Sequence, residues 1–266
     1  MILGINIGLL LGLILPPLLY ALIVYLTSPF GTIKIKRGLN HIMAGVTSVL
    51  LLGFISILIP NWDSNPIEFF NTFFFIAPRE ELVKLIMFII LGTVSNRSKE
   101  HPVATMFYMS MVGLGFALIE NAQYVSIYGE QVLPIRVVTA TIAHMLFGVF
   151  MGYWIAKGNI QNGRGNRSVF GVLMSKNLPI KRWIHVLIGW LAAIGYHGLW
   201  NYNLLVANNA YVCFCGSAGE ISDVSSTPIM IMMIFFGLVG AKFASKDLND
   251  SYRRSLENKA PKDNKE

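Results

Sequence analysis

Ala77-Pro78-Arg79-Glu80-Glu81-Leu82-Val83-Lys84 lies between two apolar runs, Phe69 to Ile76 and Leu85 to Leu91. Together they are long enough to cross a bilayer, and a central charge opposes such insertion by roughly 2.5 to 3.5 kcal/mol. Two carboxylates and two cations in one apolar segment therefore require partners on neighbouring helices, facing the interior of a bundle. With 54% hydrophobic and 13% charged residues among 266, the chain has the composition of an all-α polytopic membrane protein.

Seven spans are expected, at about residues 2–26, 39–59, 67–91, 102–128, 134–156, 183–206 and 228–243. Pro16-Pro17 predicts a kink in the first, which lacks a basic leader and a small-residue cleavage site and reads as a retained span. Pro78 predicts either a kink in the third or a fresh helical half whose first turn is Arg79-Glu80-Glu81. Eighteen of the 21 Lys and Arg residues fall on one side, while the other side carries Arg136 alone. By the positive-inside rule the N-terminus is outside and the C-terminus cytoplasmic. The net charge of +7 thus reports topology, and no nucleic-acid partner is implied. Residues 1–245 form the membrane domain and 246–266 a polar cytoplasmic tail, expected to be disordered beyond a short helical turn. The patch 169–174 is expected along the membrane surface. Cys213 and Cys215, one residue apart, are poorly spaced for an unstrained disulfide and read as free thiols.

Polar groups on four spans are candidates to converge. Glu80 and Lys84 are four apart and expected to neutralise each other, leaving Glu81 about 100° away without a local partner. Span four brings Glu120 and Asn121, span five His144, and span six His197 with Asn201 one turn on. At 1.5 Å per residue all lie roughly 12 to 18 Å deep and can share a layer. Each has a plainer reading: Glu80 with Lys84 as a structural ion pair, Glu120 as an interhelical acceptor, the histidines as packing residues bonded to backbone carbonyls. Phe116, Gly148 and Trp200 read as packing residues. As chemistry, a carboxylate can take a proton from water, His can share that task, and His with Asn can donate to an oxyanion, which suits peptide hydrolysis. The same groups could hold zinc, through Glu81, Glu120, His144 and His197, or relay protons in a transporter.

Glu80-Glu81-x-x-Lys84 after a proline, Phe116-x-x-x-Glu120-Asn121, His144 and His197-x-x-x-Asn201, on successive spans, resemble the PrsW family of intramembrane proteases, related to the CAAX prenyl endopeptidase and bacteriocin-processing group. The resemblance covers about residues 69–202. It implies an endopeptidase of the bacterial cytoplasmic membrane acting on a membrane-anchored protein, as a relative acts on an anti-sigma factor. Glu80 or Glu81 would activate water, and Glu120 would stand where the CAAX relatives carry a histidine. His144 would assist, His197 with Asn201 would stabilise the oxyanion, and Lys84 would anchor the glutamate pair. The metal-free glutamate version is favoured, with zinc as the alternative cofactor. The rival readings are a non-catalytic binding or immunity protein on the same scaffold and a proton-coupled transporter.

Overall fold

The computed structural model describes residues 7–27, 33–58, 71–94, 101–161, 180–214 and 226–258. Every regular element among them is helical: α1 Ile7–Thr27, α2 Ile35–Leu58, a π-helical segment Asn71–Ile76, α3 Ala77–Val94, α4 Val103–Tyr128, a 3-10 turn Glu130–Val132, α5 Leu133–Val138, α6 Ala140–Gln161, α7 Ile180–Phe214 and α8 Ser226–Glu257. A chain this apolar has few side chains to satisfy its backbone, so helices that close their own hydrogen bonds are the expected solution. Among the described residues, four segments are long and apolar enough to cross a membrane: Ile35–Ile57, Val103–Tyr128, Glu130–Gln161 and Pro228–Glu257. The helix α3 carries Arg79, Glu80, Glu81 and Lys84 and is not among them.

The element α4 is the axis of the bundle, with α2 on one side and α6 on another, and α7 packs on α6. Its side chains Tyr108, Met109, Met111 and Leu114 are fully enclosed, together with Phe147, Met151 and Ile155 of α6. Two glycines of α4 set this closeness. A Cβ on Gly115 would run into the carbonyl oxygen of Ile42 on α2, and one on Gly113 would run into the carbonyl oxygen of His144 on α6. Backbones touching through small residues are how helices associate where lipid removes most of the hydrophobic drive. Gly113 matters for the site because it sets the height and distance of His144. The variant Gly113→Val is expected to cost about 3 kcal/mol through overpacking, read as a lowered midpoint of thermal unfolding in detergent. A midpoint unchanged from wild type would contradict this close packing.

Apolar side chains also cover the outside. Leu15, Leu19 and Leu22 of α1 and Phe235, Phe236 and Phe243 of α8 are exposed, as lipid-facing residues must be.

The structure resolves one choice that the sequence leaves open, at Pro78, and departs from the sequence expectations in two places. The third span enters through the wider π-helical turn 71–76, and α-helical geometry begins at Ala77, so Pro78 does open a fresh helical half. The fifth span is two helices, because Thr139 (φ −116°, ψ −76°) interrupts it and its hydroxyl donates to the Ile135 carbonyl at 2.6 Å. The tail is not disordered from residue 246: α8 runs on to Glu257. Leu248 is fully buried beside Val103, Met106 and Ala156, and Asp247 accepts from Lys157 Nζ and Tyr153 Oη, each at 2.8 Å. An apolar anchor with an ion pair gives those residues a reason to stay helical. Residues 169–174 and Cys215, and the side chain of Cys213, lie outside the described residues.

Candidate active site

The first turns of α3 meet α4, α5, α6 and α7 in one buried polar layer. Lys84 is at its centre and wholly enclosed. Its Nζ donates to Glu81 Oε1 at 2.6 Å, contacts His144 Nδ1 at 3.0 Å, and lies 4.1 Å from the centre of the Phe116 ring. Lys84 thus pairs with Glu81 rather than with Glu80, as the four-residue spacing suggested. Residues three apart share a helix face as well as those four apart, and the side chain follows the carboxylate that points inward with it. Glu81, expected to lack a local partner, is the better satisfied of the two.

An ammonium has donors only, so His144 Nδ1 accepts from Lys84, and the proton of the neutral ring is on Nε2. That N–H is aimed at Glu120 Oε2, 2.9 Å away. On the other side of Lys84, Glu81 Oε1 also accepts from His197 Nδ1 at 2.8 Å, which in the neutral ring leaves His197 Nε2 as the open lone pair. His197 is held flat against Phe147, with ring centres 4.7 Å apart and planes 15° apart, and edge-on to His144 at 5.2 Å. Both histidines are bonded to side chains, so the reading of each as a packing residue tied to a backbone carbonyl does not describe them.

Glu80 Oε2 faces that open nitrogen at 3.7 Å. Oε2 of Glu80 and Oε2 of Glu81 are both buried without a hydrogen-bond partner. The Glu81 side chain is fully enclosed and that of Glu80 is 13% exposed, so Glu80 is the less enclosed of the two. Glu120 is expected from sequence to join the layer and does. What sequence reasoning missed is Arg136, whose guanidinium donates to Glu120 Oε2 at 2.7 Å and to Asn121 Oδ1 at 2.9 Å. The signal was present, since Arg136 is the only basic residue assigned to the outer side. Asn121 in turn donates to Thr141 Oγ1 at 2.9 Å. Asn201 is half-buried, one turn beyond His197, and has no hydrogen bond among the described residues.

Glu80, His144 and His197 each bring one potential ligand atom within 4.8 Å of the others. This differs from the metal set expected from sequence, because Glu81 faces Lys84 and Glu120 faces Arg136. Glu80 Oε2 and His197 Nε2 are free to ligate, and Glu81 behind His197 is the usual support for such an imidazole. Both nitrogens of His144 are engaged, however, and the Lys84 ammonium beside it repels a cation. As arranged, these residues do not fit a resident ion held by three ligands.

A family model described as PrsW family intramembrane metalloprotease matches residues 38–239. The chain is 35% identical to Protease PrsW of Oceanobacillus iheyensis over 97 residues, covering 36% of this chain and 43% of that relative, so it spans less than half of that protein's length. Against Protease PrsW of Shouchella clausii it is 26% identical over 174 residues, covering 65% of this chain and 79% of the relative. Against that of Bacillus subtilis it is 22% identical over 188 residues, covering 66% and 85%. No solved structure matches. The family model runs from within α2 to within α8 and takes in every residue of the polar layer, and the chain belongs to the PrsW family.

Proposed function

We propose that this protein is an intramembrane endopeptidase of the glutamate type, hydrolysing a peptide bond of a membrane-anchored protein. The observation that carries this reading is the pair Glu80 Oε2 and His197 Nε2, 3.7 Å apart, one buried and unbonded and the other a lone pair fixed by Glu81. Polar atoms at that separation can both bond one water. Glu80 takes a proton from that water, the new hydroxide oxygen bonds to the scissile carbonyl carbon, and the C–N bond breaks as the proton passes to the departing amine. Glu81 and Lys84 hold His197 in orientation. Asn201 donates to the oxyanion from the same helix face. Glu120 supports His144 and stands back from the water.

The same reading takes the chain as seven spans of a bacterial cytoplasmic membrane, N-terminus outside. Eighteen basic residues on one side favour it. The stretches 77–94 and 180–214 then cross despite their polar groups, which pair with one another inside the bundle.

The test uses purified protein in lipid vesicles with a panel of single-span reporters carrying a dye and a quencher on either side of the outer membrane boundary. Fragments that appear at the same rate after dialysis against a strong chelator are expected. Cleavage lost on chelation and restored by zinc would overturn the metal-free mechanism, and intact reporters under every condition would overturn the protease reading.

A further inference from the structure

We propose that Arg136 is a positioning residue that fixes the imidazole of His144 by way of Glu120. This rests on the protease reading for its kinetic consequence, though not for its geometry. A guanidinium among apolar helices is costly unless its donors are used in a fixed pattern, and here the pattern is specific. Nε goes to Asn121 and Nη2 to Glu120, so two consecutive residues of α4 are gripped by one planar group. The guanidinium carbon lies 3.5 Å from the centre of the Tyr124 ring, one turn further along α4, which closes the third side. Only 12% of the Arg136 side chain is exposed.

The break at Thr139 makes this reach available. Arg136 is in the last turn of α5, and α6 restarts at Ala140. Asn121 donates to Thr141 Oγ1, and that hydroxyl donates to the Arg136 carbonyl at 3.3 Å. Arg136, Asn121 and Thr141 thereby form a closed ring of hydrogen bonds joining α4, α5 and α6. Three residues beyond Thr141 on α6 is His144.

The oxygen that takes the Arg136 bond is also the one that takes the His144 Nε2 proton, Glu120 Oε2. The guanidinium that donates to Glu120 Oε2 is itself anchored by Asn121 and the Tyr124 ring, so this bond restricts the last torsions of the carboxylate. The carboxylate therefore presents one oxygen to the imidazole in one place and keeps the proton on Nε2, with Nδ1 left for Lys84. Without Arg136 the carboxylate is held by His144 alone, and the tautomer has one fixed partner fewer.

Two readouts test this in the full-length protein in detergent or vesicles: the nitrogen-15 spectrum of the histidine rings, and reporter cleavage resolved into kcat and KM. Wild type is expected to show His144 as a single Nε2-protonated ring. Arg136→Gln is expected to broaden that signal or split it between tautomers. It should also lower kcat by about ten- to hundred-fold, with KM changed by less than about three-fold, as for the loss of an outer support of a site histidine. Arg136→Lys, which keeps the charge without the planar grip, should restore the spectrum in part and kcat to between those of wild type and Arg136→Gln. A His144 signal unaffected by Arg136→Gln in a protein that still unfolds cooperatively would overturn the proposal, as would a loss entirely in KM. Rings that respond as described in a wild-type protein that cleaves no reporter would leave Arg136 in its place and overturn the protease reading instead.

Discussion

The variant Lys84→Met is expected to lose both stability and activity. Methionine fills similar space, so the effect is electrostatic: Glu81 Oε1 keeps only His197, and His144 Nδ1 loses its donor. Removing one partner of a buried ion pair costs about 3 to 5 kcal/mol, because the other charge stays behind without compensation. A lowered unfolding midpoint in detergent and loss of cleavage in vesicles are the expected results. The pair Lys84→Met with Glu81→Gln separates the two effects. Removing both charges should return much of the stability, whereas cleavage stays absent because His197 no longer has its carboxylate. A single Lys84→Met variant as stable as wild type would mean the ammonium is not in the buried position described.

Much of the candidate site was legible because it is written in the order of motifs along the chain. Carboxylates and imidazoles at comparable depth on neighbouring helices can share a layer, and Glu80, Glu81, Glu120, His144 and His197 do. What was not legible depends on how helices rotate and where they break. Spacing alone does not choose between partners three and four residues away, so Lys84 was assigned to Glu80, although packing turns it to Glu81. Arg136 was counted as the basic residue of the outer side because a continuous span starting at Pro134 would put it at the outer edge. The interruption at Thr139, carried by a side-chain hydrogen bond to the backbone, folds it inward over Tyr124. The C-terminal extension of α8 was hidden by its polarity, since Leu248 and Asp247 have value only against α4 and α6. Asn201 was placed correctly on the face of His197 by its four-residue spacing, and its bonding could not be read from that spacing.

Glu80 is the residue on which the chemistry depends. Glu80→Gln keeps the shape and removes the proton acceptor, and a general base contributes about 10²- to 10⁴-fold to rate. The same change takes a carboxylate whose buried oxygen has no hydrogen-bond partner and makes it neutral. Stability should therefore hold or rise, since a buried polar group without a partner costs stability and a neutral one costs less. Loss of activity with unchanged or raised stability is the signature of a working group, and a structural ion pair would give the reverse. The most direct measurement is the rate at which wild-type and Glu80→Gln proteins, reconstituted in the same vesicles and matched in unfolding midpoint, cleave one reporter. A fall of at least about 10²-fold for the variant is predicted, and equal rates for the two proteins would contradict Glu80 as the group that activates water.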